Sequence, residues 1–460
     1  MTNNPTKAQN HPSTTTVPEG LSTKKLLSIE KARAIIKENL PERGITEVRT
    51  GYSMGYILAD EIKAVEDSPR YTNSKMDGLA IRLHTADKKN NREYKIIGES
   101  SAGNPFTGIL NPGEAIRIST GAFVPPSASL VVPIEHTIIS GDTLYLSTDA
   151  ILKPSTYIRF KGSEFTTGEI ILEKKTLITP DKIAILTAQG IDTLKVYSRA
   201  RVAIITTGEE IVPSSEKIGE YQLRNSNLPM LKNLVTSSGG EVVFTTHIGD
   251  RKEETKSKIL EAEEVSDIII SSGGVSMGNH DLVKEAVIET GFKFLFWRVK
   301  QKPGKPLFFA VKETTAKPTK DTPIEKKLFF GLPGNPVSSF MTYLHYVHPT
   351  ICYFRGIDFS SATPTITGTL IREATNDIER FHLARVFYQI AGDKTKTQNA
   401  NKITIEAEVL ENQDSHKLTS ITRARGYTII PPKTTLKRGE KIEIYPFPWY
   451  STTHWETFTY

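Results

Sequence analysis

The chain has 460 residues, of which 38% are hydrophobic and 24% charged, as is typical of a multidomain globular protein. Its net charge is +6, but no stretch interleaves basic with aromatic residues, so we expect no nucleic-acid partner. No apolar run approaches the roughly 20 residues that cross a bilayer, so we expect no membrane span. The single cysteine, Cys352, excludes an intrachain disulfide and favours a cytoplasmic location. Its apolar, helical surroundings predict a buried residue rather than a catalytic thiol.

The first two hundred residues predict a helical or mixed domain that is interrupted by a β domain. Residues 1–24, rich in Asn, Thr, Ser and Pro, predict a disordered tail rather than a signal peptide. Apolar spacing predicts helices over 26–40, with Ser28 near the N-cap, over 55–62 and over 181–189. Short apolar segments separated by turns fill residues 64–156. We therefore expect a discontinuous first domain, 25–63 and 157–197, with a small β domain, 64–156, inserted into it.

The second half of the chain predicts an α/β domain followed by a β domain. Residues 198–355 alternate predicted strands with helices, which indicates a doubly wound domain with a mainly parallel sheet. Residues 356–460 return to short strands and predict a C-terminal β barrel or sandwich. Two polar stretches, 317–327 and 392–402, are expected to be hairpin tips.

One loop of the α/β domain has the composition of an anion-binding site. It runs from Ser271 to Asp281 (SSGGVSMGNHD), after a predicted buried strand and before a predicted helix. Glycines and serines at such a crossover leave backbone N–H groups free to bind a phosphate or another oxyanion. Asp281 at its end is placed either to bind a metal ion or to cap the helix. The loop alone does not distinguish a nucleotide from another phosphorylated ligand.

Other predicted strands of this domain also end in candidate site residues. Thr207-Gly208, Asp250 and the segment 332–336 follow three of them. Because ligands of doubly wound domains bind at the carboxyl ends of the strands, we expect these segments to meet the loop that starts at Ser271. Asn335 as N-cap and Pro336 at the first helical position predict that a helix starts there.

Six short stretches, in this order, resemble motifs of the molybdopterin molybdenumtransferase family, of the MoeA and gephyrin E-domain type. Each is weak alone, and two of them would otherwise be interpreted only as turns, but six in one order are specific. The resemblance covers about residues 25 to 450 and implies the domain architecture described above. The stretches are Asn73–Gly78, Thr120–Pro125, Thr207–Glu210, Ser271–Asp281, Lys302–Pro306 and Gly331–Ser338.

The resemblance implies an enzyme that inserts molybdate into adenylylated molybdopterin and releases AMP, with Mg²⁺ as the divalent cation. Molybdate and the pyrophosphate group are both anions, so lysines, backbone amides and a metal ion are needed to offset their repulsion. The resemblance further implies a homodimer, with a cleft between the α/β domain of one subunit and the first and last domains of the other. Protein partners would be the molybdopterin adenylyltransferase and the acceptor molybdoenzymes.

The resemblance also implies a role for individual residues. Asp250 and Asp281 would bind the metal, and Asp77, Thr120, Glu210 and Glu164 would be catalytic. The binding residues would be Thr207, Gly208, Ser272, Gly273, Gly274, Ser276, Gly278, Lys302, Lys305, Pro333, Gly334, Asn335, Pro336, Ser338 and Arg385. Structural alternatives stand beside these roles: Asp250 as a solvated loop acid, Glu210 as a helix-dipole partner, and the two lysines as an exposed hairpin pair.

Departures from the family's patterns leave other functions open. Glu164 stands in place of the usual Asp, and Leu383 in place of an anion-binding Arg, with Arg385 two residues further on the same strand face. Ser127–Ser129 and Arg425 also differ from the usual residues. The alternatives are a paralogue that binds molybdopterin without turnover, a scaffold of the gephyrin kind, and a molybdopterin adenylyltransferase. The sequence does not separate molybdate from tungstate.

Overall fold

The protein was analysed as a computed structural model, which describes residues 26–84, 91–275, 282–314, 325–391 and 404–450. The predicted tail, the hairpin tip 392–402 and most of the tip 317–327 lie outside these ranges. Within them, no helix is both long and apolar enough to cross a membrane.

The first part of the chain is a small mixed unit. Its first helix, Ile29–Glu38, begins as predicted, because Ser28 Oγ accepts a hydrogen bond of 3.2 Å from the backbone N–H of Lys31. The unit also contains the short turn of helix Thr50–Tyr52, the helix Pro180–Ala188, and two antiparallel strand pairs. These pairs are Ile45–Arg49 with Thr193–Tyr197, and Ile62–Lys63 with Ile170–Leu172.

The predicted helix over residues 55–62 was wrong. Ile57 and Leu58 instead form isolated β-bridges with Leu177 and Val196, and Gly55 has a φ of +78°, which lies outside helical geometry. The apolar residues that indicated a helix lie instead in an extended segment. This segment is buried between the segments that contain Leu177 and Val196. Pairing with residues distant in the chain therefore decided the conformation here, against the local helical spacing of apolar residues.

The inserted part is a six-stranded sheet with a core cluster on each face. Leu79 and Ile81 pack on one face and Ala80 on the other, so the sheet is buried on both sides. In spatial order its strands are Leu130–Pro133, Gly78–Ile81, Glu114–Ile118, Glu93–Ser100, Thr143–Leu146 and Thr137–Ser140. A short turn of helix, Ile134–His136, and the pair Asn73–Ser74 with Ile158–Arg159 complete it.

The α/β part is built on a second six-stranded sheet, whose first four strands are parallel. Its strands in spatial order are Glu241–Ile248, Arg201–Thr207, Ile268–Ser272, Glu325–Leu332, Phe308–Thr314 and Lys293–Trp297. Phe308–Thr314 was not predicted as a strand; it runs antiparallel to both its neighbours. A mainly parallel sheet, as predicted, is thus confirmed, with one antiparallel strand inside it.

Helices cover both faces of this sheet, as expected of a doubly wound fold. One core cluster contains the helix Asn227–Ser237 and the long helical segment that starts at Pro336. The other contains the helices Lys252–Val265 and Leu282–Glu289. The long segment consists of Pro336–Thr342, a π-helical stretch Tyr343–Val347, and His348–Phe354. Cys352 on it is buried as predicted, and burial raises the pKa of its thiol to about 11.

The last part is a closed barrel, one of the two alternatives that the sequence left open. Its ring of strands is Phe381–Ala391, Thr404–Val409, Ile366–Leu370, Lys441–Pro446 and Gly426–Ile430, which pairs back to the first. The strand Gln301–Lys302 extends the sheet at Phe381 and His382, which joins the α/β part to the barrel. Smaller elements are Ile211–Val212 with Leu223–Arg224, Ala374–Asn376 with Thr434–Leu436, and the helical turns Thr419–Arg423 and Pro448–Tyr450.

Candidate functional site

The carboxyl ends of the four parallel strands meet at one edge of the α/β sheet. In the strand register, Thr207 is opposite Ile248, Thr206 is opposite Ser272, and Ser272 is opposite Leu332. The segments predicted to bind a ligand therefore follow four neighbouring strands. The structure brings together at this edge Thr207, Gly208, Asp250, Ser272, Gly273, Gly274, Pro333 and Gly334.

The two glycines after Ser272 are required by their surroundings. Gly273 has a φ of +101°, and a Cβ on it would lie 2.5 Å from Thr207 Oγ1. Gly274 has a φ of +66°, and a Cβ on it would lie 2.3 Å from Val283 Cγ2. Both positions favour glycine because a side chain would meet its neighbours and because L-residues avoid positive φ. The loop backbone thus lies directly against the neighbouring strand end and the next helix.

Asn227, at the start of the helix Asn227–Ser237, joins this loop to the loop that contains Gly334. Its Nδ2 donates hydrogen bonds to Ser272 Oγ, at 2.9 Å, and to the carbonyl oxygen of Gly334, at 2.7 Å. A carbonyl oxygen only accepts, so the orientation of the carboxamide is fixed. Its Oδ1 is buried and has no hydrogen-bond partner among the described residues. Asn227 was not among the predicted site residues; its position as the first residue of the helix that follows the Thr207–Glu210 loop was the available signal.

Acidic side chains surround the ends of the first two strands. The Glu210 carboxylate folds back over Gly208: a Cβ on this glycine would lie 3.0 Å from Glu210 Oε2. A Cβ on Gly249 would lie 3.8 Å from Glu209 Oε1, and Asp250 follows, exposed to solvent. Glu209 was not among the predicted site residues, although it lies within the stretch Thr207–Glu210.

The carboxylate oxygens at this edge have the chemistry that Mg²⁺ prefers. Among the described residues, however, no three His, Cys, Asp or Glu side chains form a group that could hold a metal ion. Mg²⁺ in phosphate-binding sites is commonly held by one or two carboxylates together with the substrate's phosphates, and Asp250 fits that mode. Asp281, the second predicted metal ligand, lies outside the described residues, as do Ser276 and Gly278.

The segment that contains the predicted lysines packs against the start of the long helix. A Cβ on Gly304 would lie 2.3 Å from Thr342 Cγ2 and 3.6 Å from the Ser338 carbonyl oxygen. Lys302 and Lys305 are half-buried rather than freely solvated. The turn between the two lysines thus packs against the backbone of Ser338, which is itself buried.

Pro336 is in the first turn of this helix and Asn335 is at the N-cap position, so the predicted helix start is confirmed. The side chain of Asn335 does not, however, make a capping hydrogen bond. Its Nδ2 lies 3.4 Å from Ser415 Oγ in the barrel part. Capping by the Asn335 side chain therefore does not explain why asparagine stands at this position.

Arg385 is a buried cation on the barrel strand that pairs with the lysine segment. Its side chain is fully buried, and burial lowers the pKa of the guanidinium to about 10. Its Nη2 lies 3.5 Å from the carbonyl oxygens of Asn412 and Asp414, while Nε and Nη1 have no hydrogen-bond partner among the described residues. Near the start of the same strand, His382 is opposite Lys302 in the register. Positive side chains from two structural units therefore lie near one another.

A second group of predicted residues lies in the inserted β part and in the segment that follows it. Asp77 Oδ1 accepts a hydrogen bond of 2.8 Å from the backbone N–H of Thr120, and both residues are exposed. Glu164 is exposed and accepts a hydrogen bond of 2.6 Å from Ser68 Oγ. No hydrogen bond within the described ranges links Asp77 or Thr120 to the strand ends of the α/β sheet. Within one chain, the predicted residues thus form two groups rather than one.

Family models match three successive parts of the chain. Residues 27–190 match a model described as the MoeA N-terminal region (domain I and II), and residues 203–352 match a probable molybdopterin binding domain. Residues 377–447 match the MoeA C-terminal region (domain IV).

The chain is also similar to curated proteins and to a solved structure. It is 28% identical over 424 residues to the molybdopterin molybdenumtransferase of Haemophilus influenzae, covering 92% of this chain and 99% of the relative. It is 33% identical over 358 residues to that of Staphylococcus aureus strain MSSA476, covering 76% and 81%. The structure of a molybdopterin biosynthesis moeA protein from Pyrococcus horikosii matches with a TM-score of 0.73 at 26% identity, covering 92% of this chain and 99% of the other.

Proposed function

The chain belongs to the molybdopterin molybdenumtransferase family, and we propose that it transfers molybdenum from molybdate to adenylylated molybdopterin and releases AMP. It is a transferase of molybdenum cofactor biosynthesis. In the proposed reaction, the two thiol groups of molybdopterin replace an oxo ligand of molybdate, which leaves with their protons as water, and hydrolysis of the phosphoanhydride bond releases AMP.

The observation that carries this proposal is the close packing of the glycine loops at the strand ends. Gly273 lies against Thr207, and Asn227 joins Ser272 to Gly334. Loops without side chains in this position allow the phosphate groups of a ligand to approach backbone N–H donors. This supports the binding of adenylylated molybdopterin at this edge by Thr207, Gly208, Ser272–Gly274 and Pro333–Pro336.

The half-buried lysines support a place for the second anion, molybdate. Lys302 and Lys305 come from one tight loop, and the buried Arg385 Nε and Nη1 donors have no hydrogen-bond partner among the described residues. Buried cationic donors are costly unless paired, so an oxyanion bound there would satisfy them. Asp250 and Asp281 would hold Mg²⁺, which neutralises phosphate charge when it is bound. Ser338, beside the lysine loop, would complete the oxyanion site.

A homodimer would unite the two groups of predicted residues. Asp77, Thr120 and Glu164 are exposed and make no described contact with the strand ends, so a second copy is the simplest source of their partner surface. Glu210, which belongs to the strand-end group, would act from the side of the intersubunit cleft opposite Asp77, Thr120 and Glu164. We further propose a cytoplasmic location, with the adenylyltransferase and acceptor molybdoenzymes as transient partners.

The decisive experiment supplies the purified chain with adenylylated molybdopterin, molybdate and Mg²⁺, and measures AMP release together with cofactor formation. We expect AMP release that depends on molybdate. Tungstate in parallel reactions would establish the oxyanion preference. ATP-dependent adenylylation of free molybdopterin would instead identify an adenylyltransferase. Tight binding of molybdopterin without AMP release would identify a paralogue without turnover.

A further inference from the structure

Trp297 contacts the ligand-binding loop from the side opposite Asn227. Its indole Nε1–H donates a hydrogen bond of 3.1 Å to the carbonyl oxygen of Val275, the residue that follows Gly274. The Val275 side chain is 1% exposed, and its Cγ1 lies 2.7 Å from where a Cβ on Gly331 would be. The loop is thus held through its backbone by an aromatic side chain that the reaction does not otherwise use.

Two cations hold the indole ring. Lys284 Nζ lies 3.4 Å and Arg298 Cζ 3.7 Å from the ring centroid. Such distances are within the range of cation–π interactions, for which tryptophan is the best partner. Lys284 lies in the helix that begins after the loop, so the ring connects that helix, the loop and the strand Lys293–Trp297.

The backbone at Arg298 is strained. Its φ is +76°, a left-handed conformation that residues other than glycine adopt only at an energetic cost. The conformation is fixed from both sides, since Arg298 N–H donates to the Leu307 carbonyl oxygen at 3.1 Å and Leu27 N–H donates to that of Arg298 at 3.2 Å. Strain of this kind persists where the surrounding structure maintains it, and it concentrates at functional sites.

The strained residue lies between the two binding elements. Trp297 on one side contacts the loop at Val275, and four residues beyond Arg298 the segment Lys302–Lys305 begins. The backbone of Val299 is in turn bonded to Lys305, whose carbonyl oxygen accepts from the Val299 N–H at 2.9 Å. A change at Trp297 or Arg298 would therefore alter the relative placement of the phosphate loop and the lysines.

We propose that Trp297 is a positioning residue, which holds the loop Gly273–Val275 in the shape that binds the pterin phosphate, and that Arg298 holds Trp297. The role rests on the proposed function, because it concerns the same substrate. Trp297 acts through the Val275 backbone and touches no reacting atom. Occupation of the loop by substrate should in turn change the surroundings of the indole.

Kinetics of Trp297→Phe test the hydrogen bond, because phenylalanine keeps a ring for both cations but has no N–H. We expect KM for adenylylated molybdopterin to rise about fivefold, the effect of one ordinary hydrogen bond, with kcat within twofold of the wild type. Trp449→Phe is the matched control, since Trp449 packs against Phe340 and Phe447 away from the loop, and it should leave KM unchanged. An unchanged KM in Trp297→Phe would overturn the proposal.

Arg298→Gly separates function from folding. Glycine accepts the positive φ without strain, so the thermal midpoint should not fall, while loss of the guanidinium should raise KM in the same direction as Trp297→Phe. A merely structural role for Arg298 predicts the reverse: a changed midpoint with normal KM.

Fluorescence reports on the loop independently of turnover. The chain has three tryptophans, so Trp449→Phe with Trp455→Phe leaves Trp297 as the only indole. Adenylylated molybdopterin, added without molybdate, should change the fluorescence emission of Trp297. The change should saturate at the same ligand concentrations as binding measured by equilibrium dialysis. If dialysis shows binding but the Trp297 emission stays constant, the role of Trp297 is overturned and the proposed function is not. Absence of binding by the wild-type chain would overturn the proposed function as well.

Discussion

The carboxylate of Asp77 accepts a 2.8 Å hydrogen bond from the backbone N–H of Thr120, which is 43 residues later in the chain. The two turns are also joined by their backbones, since Gly121 N–H donates to the Ser74 carbonyl oxygen and Ser74 N–H donates to that of Ala122. Two stretches that each predict only a turn thus form one surface with an exposed acid.

We expect Asp77→Asn to lower molybdate-dependent AMP release by at least about 100-fold, the usual effect of removing a catalytic carboxylate. The amide oxygen of asparagine can still accept the hydrogen bond from Thr120, so the fold should persist. The measurement is kcat for AMP release, with the thermal midpoint as a check on folding. Asp142→Asn, at an exposed position of the same sheet, is the control and should retain full activity. Near-normal turnover of Asp77→Asn would refute a catalytic role.

Asn227→Asp should weaken substrate binding by separating the two loops that Asn227 joins. The new carboxylate oxygen would face the Gly334 carbonyl oxygen, with which it cannot form a hydrogen bond. We expect a loss of about 2 kcal/mol in folding stability and at least a tenfold rise in KM, measured by urea unfolding and steady-state kinetics.

Asn233→Asp provides the matched control on the same helix. Asn233 is exposed, and its Nδ2 donates only to the carbonyl oxygen of Pro229 within the helix. Its substitution should change neither KM nor, beyond a few tenths of a kcal/mol, stability. Equal effects of the two substitutions would show that Asn227 has no special role in joining the loops.

Gly273→Ala should abolish tight binding of molybdopterin, because the new methyl group would displace Thr207 and the loop together. Gly190→Ala is the control for backbone strain alone: its φ is +68°, yet a Cβ there would contact nothing within 4 Å. We expect both variants to lose about 1 kcal/mol or more of stability, and only Gly273→Ala to lose binding in equilibrium dialysis. Retained binding by Gly273→Ala would contradict the assignment of the loop.

His382 should make the fold sensitive to acid. Burial, together with the charges of Arg385 and Lys302, lowers its pKa to about 4, while the nearby Asp377 acts in the opposite direction. In the unfolded chain the histidine has its ordinary pKa of about 6.5, so below that pH the unfolded chain binds more protons. Stability is therefore lost as the pH falls from about 6.5 to about 4, by about 3 kcal/mol in all.

Urea unfolding at pH 7.5 and pH 5 measures this effect. Between these two values the wild type should lose about 2 kcal/mol more than His382→Gln, which cannot titrate. His416→Gln, at an exposed position, should behave as the wild type. Some pH dependence should remain in His382→Gln, because burial also lowers the pKa of His345. Identical pH dependence of wild type and His382→Gln would exclude this explanation.

Local sequence determined most of the elements. The helix from Ile29 follows from capping by Ser28, and the helix start at Pro336 follows from the fixed geometry of that proline, since both effects act within a few residues. The strand Phe308–Thr314 and the bridges of Ile57 and Leu58 were not predicted, because both depend on partners distant in the chain. The same limit applies to the barrel: short strands are visible in sequence, whereas closure by the pairing of Phe381–Ala391 with Gly426–Ile430 is not.

The sequence by itself determined which residue types are available for the proposed chemistry: glycine loops, acids after strands, and a lysine pair in fixed order. Only the tertiary structure decided which of them meet. Parallel strand register aligned Thr206, Ser272 and Leu332, and hydrogen bonds from Asn227 and Trp297, neither part of a recognised motif, fixed the loop that follows Ser272. The physical reason is that a side chain's type is a local property. Its contacts depend on strand pairing and on packing between segments far apart in the chain, and no short motif encodes these.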